Sequence, residues 1–143
     1  MLIEIVCVIA IVALLAAILL PRMPSGTSQS RLQAYAVELA TLLKADRNAA
    51  LWRRAVVAAT VDAEARTLVS GSSGRVVKVA DDVAFDALLP SRCDGRPALS
   101  TISFFATGMS CGGLIRLTRF GSIYEVRVNW LTGGIDIVTR SAL

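Results

Sequence analysis

The chain has 143 residues, 55% of them apolar, with a net charge of +4, three cysteines and no histidine. That length provides for one small domain beyond any membrane segment, and the mean hydropathy of +0.62 is high for a chain bathed in water. The absence of histidine removes the commonest general base and metal ligand, and a charge this mild, with no basic tail, argues against a strongly electrostatic nucleic-acid binder.

The first stretch, Met1 to Leu20, supplies much of the apolar excess. Every residue from Ile5 to Leu20 is apolar, and Glu4 is the only charged side chain in the segment. About 20 helical residues cross the roughly 30 Å hydrocarbon core of a bilayer, so the segment is just long enough to span. A cleavable secretory signal fits less well, because the apolar run is long, no basic region precedes it and it ends in Leu19-Leu20-Pro21-Arg22. The segment reads as a retained anchor. Counting positive charges alone (Arg22 and Arg31 follow it) would leave the rest of the chain in the cytoplasm, whereas a basic leader ahead of Met1 would reverse that orientation. Glu4 has two readings. It either snorkels to the headgroups from its place near the terminus, or pairs with a positive partner when the helix packs against neighbours.

Pro21, Pro24 and Gly26 break or kink the helix where it leaves the apolar run. Thr27, Ser28 and Ser30 offer N-cap side chains, and from Arg31 to about Arg54 one apolar stripe recurs at helical spacing: Leu32, Tyr35, Ala36, Leu39, Leu42 and Leu43, with Ala49, Ala50 and Trp52 further on. This amphipathic helix is expected to lay its stripe on a sheet. Beyond Arg54 the period shortens. Strands are expected at Ala55–Val61, Thr67–Val69, Arg75–Val79, Val83–Leu89 and Leu99–Phe105, with a turn at 62–65 and a loop at 70–74. Asp81-Asp82 begins a turn and is expected to be solvated, and Pro90 to Pro97 reads as an irregular connection. The last third alternates most clearly. Ile115 and Leu117 share one face, and Tyr124, Val126, Val128 and Trp130 share another, opposite Ile123, Glu125, Arg127 and Asn129. Turns at 120–122 and 131–134 and a closing strand from Ile135 make this a meander of hairpins.

Two resemblances follow from these residues. Leu2-Ile3-Glu4, running into Val6 and Val8 to Ile18 and closed by Pro21, resembles the N-terminal helix of type IV pilins and type II secretion pseudopilins. The resemblance implies a leader removed by a prepilin peptidase, an N-methylated first residue, and an acid that pairs with a neighbouring subunit's terminal amine during assembly. Glu4 matches that acid. No basic leader, Gly or Phe precedes Leu2, and Met1 stands where the family usually has Thr. The start therefore reads as lying inside a precursor, and cleavage and methylation fall on no position of this sequence. The second resemblance rests on Phe104-Phe105-x-x-Gly108-x-Ser110-x-Gly112-Gly113, Ile115-x-Leu117 and Val126-x-Val128-x-Trp130-Leu131-Thr132-Gly133, which are similar to the distal domain of the GspH/FimT group of minor pseudopilins and minor pilins. Together they imply an α+β, type IV pilin-like fold. Residues 1–21 form a transmembrane helix, 22–54 a kink and the periplasmic half of one long helix, and 55–143 a β-rich domain with a small antiparallel sheet. They also imply a single-pass bacterial inner-membrane protein with its domain in the periplasm, assembling with other pseudopilins of one filament that promotes protein export.

No constellation supports catalysis, and no cofactor or metal is expected. The spacing of Cys7, Cys93 and Cys111 gives no zinc pattern, and Ser70-Gly71-Ser72-Ser73-Gly74-Arg75 lacks the Lys of a phosphate-binding loop. Cys93 and Cys111 either form a disulfide, which a periplasmic compartment permits, or remain buried thiols. Arg116 and Arg127 share one face of the meander with Arg119 nearby. Arginine forks suit phosphate, and some FimT-like minor pilins bind DNA during uptake. The plainer reading pairs Arg116 and Arg127 across strands with Glu125 and Asp136, and nucleic acid is the secondary expectation.

Overall fold

The computed structural model describes residues 1–19 and 26–141; the break expected at Pro21 and Pro24 lies outside them. Helix α1 spans Leu2–Leu19 and buries none of its residues within the chain. Helix α2 spans Gln29–Arg53. Gly26, Thr27 and Ser28 belong to neither helix. Ser28 is extended (ψ 165°) and its Oγ accepts from Arg31 N, satisfying one of the amide donors that a helix start leaves without a partner.

The apolar stripe on α2 is the keel of the domain. Leu32, Ala36, Leu39, Leu43 and Ala50 are all at most 1% exposed, and each fully buried Leu is worth about 1.5–3 kcal/mol. The stripe ends before Trp52, which the spacing assigned to it but which is 87% exposed. Two residues beyond the buried Ala50, Trp52 stands about 200° round the helix from the stripe, and Arg54 caps the helix in the left-handed conformation (φ 51°), its N–H donating to Ala50 O.

The strands are β1 (Val57–Asp62), β2 (Thr67–Val69), β3 (Val76–Lys78), β4 (Ala84–Leu88), β5 (Arg92–Cys93), β6 (Arg96–Pro97), β7 (Thr101–Phe104), β8 (Gly113–Arg119), β9 (Ser122–Val128) and β10 (Ile135–Ser141). The single sheet expected from the sequence resolves into two antiparallel four-stranded sheets, ordered β3-β2-β1-β7 and β10-β9-β8-β4. The reason is a double exchange. β4 leaves the first sheet to pair with β8, Phe85 opposite Leu117, and β7 returns to pair with β1, Val57 opposite Phe104. Helix α2 contacts strands of both sheets, so Ile102, Phe104, Ile115, Leu117 and Val126 share its core, each 0% exposed.

The connection over 90–97 is not irregular. It is a two-residue hairpin in which Cys93 pairs with Arg96 across Asp94-Gly95, both with positive φ (51° and 74°). Asp-Gly is the dipeptide that such turns favour, a signal the sequence reading passed over. Trp130 also departs from expectation. β9 ends at Val128 and the chain turns, leaving the indole 63% exposed instead of on the core face.

Candidate assembly surfaces

Helix α1 presents a continuous apolar surface with one acid. Its branched residues are open to their surroundings, Val8 at 58%, Leu14 at 65% and Ile18 at 73%, and it is long and apolar enough to cross a membrane. Glu4 sits in its first turn, where the positive end of the helix dipole favours a carboxylate. A helix apolar on every side, with none of its residues buried among the described ones, is of the kind that lipid or other helices surround.

The residues singled out in the distal domain fall into separate groups. Cys93 and Cys111 are joined by a disulfide, with their Cα atoms 5.6 Å apart, which fastens the β5–β6 hairpin to the loop entering β8. Arg116 and Arg127 do share the solvent face of the second sheet, and both converge on Glu125. Arg116 Nε donates to Glu125 Oε1 at 3.0 Å and Arg127 Nε to Oε2 at 3.0 Å, with a second Arg127 bond to Oε2. Arg140 lies 3.9 Å from the same oxygen. Glu125 is 1% exposed, covered by the arginines it binds. The Arg127 bonds, reinforced by Arg116, hold its carboxyl below the usual carboxylate range against the opposing effect of burial. Across the strands Asp86 stands opposite Arg116 and Asp136 opposite Arg127. Three acids therefore balance Arg116, Arg127 and Arg140 on this face.

Arg119 does not join that group. It pairs with Asp82 and lies over the Phe120 ring, 4.5 Å from its centroid. Nor is Asp82 simply solvated. It accepts from both Thr27 N and Thr27 Oγ1 at 2.7 Å, so the chain entering α2 is pinned to the β8–β9 turn. The pairing brings together residues 55 positions apart, which no local pattern reveals.

Two further ties were missed in the sequence. Asp46, on α2, is 0% exposed and accepts from Ser70 Oγ, Gly71 N, Ser72 N and Ser72 Oγ, fixing the β2–β3 loop against the helix. Arg47 reaches the other way, Nε donating to Gly108 O and Nη2 to Thr132 O, both at 3.1 Å. There the backbones close in so tightly that a Cβ on Gly133 (φ 67°) would lie 1.9 Å from Gly108 O. An acid inside an otherwise apolar stripe was the available signal for Asp46.

No protein-family model and no curated protein sequence matches the chain. The likeness lies in solved structures. The minor pseudopilin EpsH from the type 2 secretion system of Vibrio cholerae superposes with a TM-score of 0.58 at 13% identity, over 74% of this chain and 94% of that one. The type IV minor pilin FimU of Pseudomonas aeruginosa superposes with a TM-score of 0.58 at 18% identity, over 78% and 91%, and a second crystal form of FimU with 0.55 at 16%. An apolar N-terminal helix, an amphipathic helix and antiparallel sheets wrapped on it thus make up, in this chain, the fold of the type IV pilin-like minor pseudopilins and minor pilins.

Proposed function

We propose that this chain is a structural, non-enzymatic subunit, a minor pseudopilin of a type II secretion system. Its apolar helix is held in the bacterial inner membrane and joins those of other pseudopilins in a periplasmic filament that promotes protein export. The observation that carries the reading is the pairing of a wholly uncovered apolar helix, with one acid in its first turn, and a domain of minor-pseudopilin fold. In this role Glu4 is the assembly acid that meets a neighbour's terminal amine, and a prepilin peptidase acts on the precursor. The disulfide between Cys93 and Cys111 supports a periplasmic domain, since such bonds persist in oxidising compartments.

Nucleic acid is not needed by this reading. Arg116 and Arg127 are engaged with Glu125, and Arg119 with Asp82, which leaves little unbalanced charge on that sheet face for phosphates. The test is Glu4→Ala in the full chain. The variant is expected to stay in the membrane fraction yet disappear from sheared filaments. Filament incorporation equal to that of the parent would count against the assignment.

A further inference from the structure

The turn between β8 and β9 holds a residue that neither the turn nor the core asks for. Arg119 pairs with Ser122 across Phe120-Gly121, and both turn residues have positive φ (44° and 76°). A two-residue turn of that kind favours Asn-Gly or Asp-Gly, and Asp94-Gly95 supplies the latter in the β5–β6 hairpin. A bulky side chain at positive φ is strained. Phe120 takes that position and still holds its ring out of the core, 89% exposed, with the Arg119 guanidinium over it.

The turn also stands where the chain arrives from α1. A Cβ on Gly26 would fall 2.5 Å from Arg119 Nη2 and 3.0 Å from Asp82 Oδ2, and Asp82 holds both Thr27 and Arg119. Leu19, the last residue of α1, is seven positions before Gly26, and seven residues reach at most about 25 Å. Phe120 is thus tethered close to whatever surrounds the end of α1. The exposed indoles of Trp52 and Trp130 belong to the other end of the domain. Helix α2 carries Trp52 away over 25 residues, about 37 Å, and β9 runs from Ser122 away from the turn to Val128, two residues short of Trp130. The charges beside the ring are largely balanced, Arg119 by Asp82 and Arg66 by Asp81 at 3.7 Å. What the turn offers is therefore apolar contact.

We propose that Phe120 is a footing on the bilayer. With α1 in the membrane, the β8–β9 turn rests on the lipid surface and the ring sits at the boundary of headgroups and acyl chains, where aromatic side chains of peripheral segments are buried. The proposal rests on the reading of α1 as a membrane anchor. It concerns the chain before any filament takes it up and needs no second subunit. A protein partner would require a far larger apolar surface than one ring beside Gly121 and Ser122, whereas a bilayer accepts a single ring.

The test reconstitutes the full chain, without other subunits, into phosphatidylcholine vesicles. These carry a phospholipid with a photoactivatable diazirine high on its acyl chain, and adducts are mapped by mass spectrometry. They are expected on α1 and at Phe120, and not at Trp52 or Trp130. Phe120→Asn keeps the turn, since Asn-Gly suits it. It should reduce adducts over residues 119–122 at least about fivefold while α1 stays labelled. Adducts on α1 with none at Phe120 would remove the footing and leave the anchor standing. Labelling of Trp52 and Trp130 equal to that of the turn, or turn labelling that survives Phe120→Asn, would also overturn the proposal. An unlabelled α1 removes the membrane reading, and the footing with it.

Discussion

Asp46 accepts four hydrogen bonds from the Ser70–Ser72 segment while 0% exposed, so truncating it strands several donors in the interior. Each stranded donor costs about 1–3 kcal/mol, less than additively. Asp46→Ala is therefore expected to lower unfolding free energy by about 2–4 kcal/mol, measured by urea denaturation of the full chain in detergent. A loss no greater than that of a neutral surface substitution would show that the loop is held by other means. Glu125 carries a pH signature. Its folded pKa is lowered, chiefly by the Arg127 bonds and then by Arg116. Its stabilisation is therefore fully present above the ordinary carboxylate range and is lost as pH falls through the lowered folded value. The stability gap between the parent chain and Glu125→Gln should be open at about pH 7, narrow as pH falls through the ordinary carboxylate range, and close only below the lowered folded value. A gap that holds constant across that interval would contradict the arginine–carboxylate account.

At the scale of elements, the disulfide decides how firmly the β5–β6 hairpin and the β7–β8 loop are held together. Cys93 and Cys111 are 18 residues apart, and closing a loop of that length restrains the unfolded chain by about 3 kcal/mol. Replacing both cysteines with serine should lower the chemical-denaturation midpoint by an amount equivalent to about 3 kcal/mol while the circular dichroism spectrum keeps its shape. An unchanged midpoint would mean that the hairpin is fixed by its other contacts. The strands themselves were legible. Thr67–Val69 appears with the expected bounds, and Ile115, Leu117, Tyr124 and Val126 turn inward as their alternation requires. Alternation reports which face is buried, but not which sheet a strand joins. The exchange of β4 and β7 was accordingly not visible.

For the whole molecule, the apolar segment and the folded domain answer to different solvents. The domain buries its own core around α2, whereas among the described residues none of α1 is buried, and its unbroken apolar surface is long enough to cross a membrane. The sequence alone determined α1, because an unbroken apolar run needs no knowledge of its neighbours. It determined α2 and the terminal hairpins for the same reason, since periodicity and turn residues act within a few positions. Tertiary structure decided the rest. Asp46 meets Ser70 across 24 positions, Thr27 meets Asp82 across 55 and Arg47 meets Thr132 across 85. These partners are chosen by where the chain returns in space, and a local pattern of polar and apolar residues carries no record of that return.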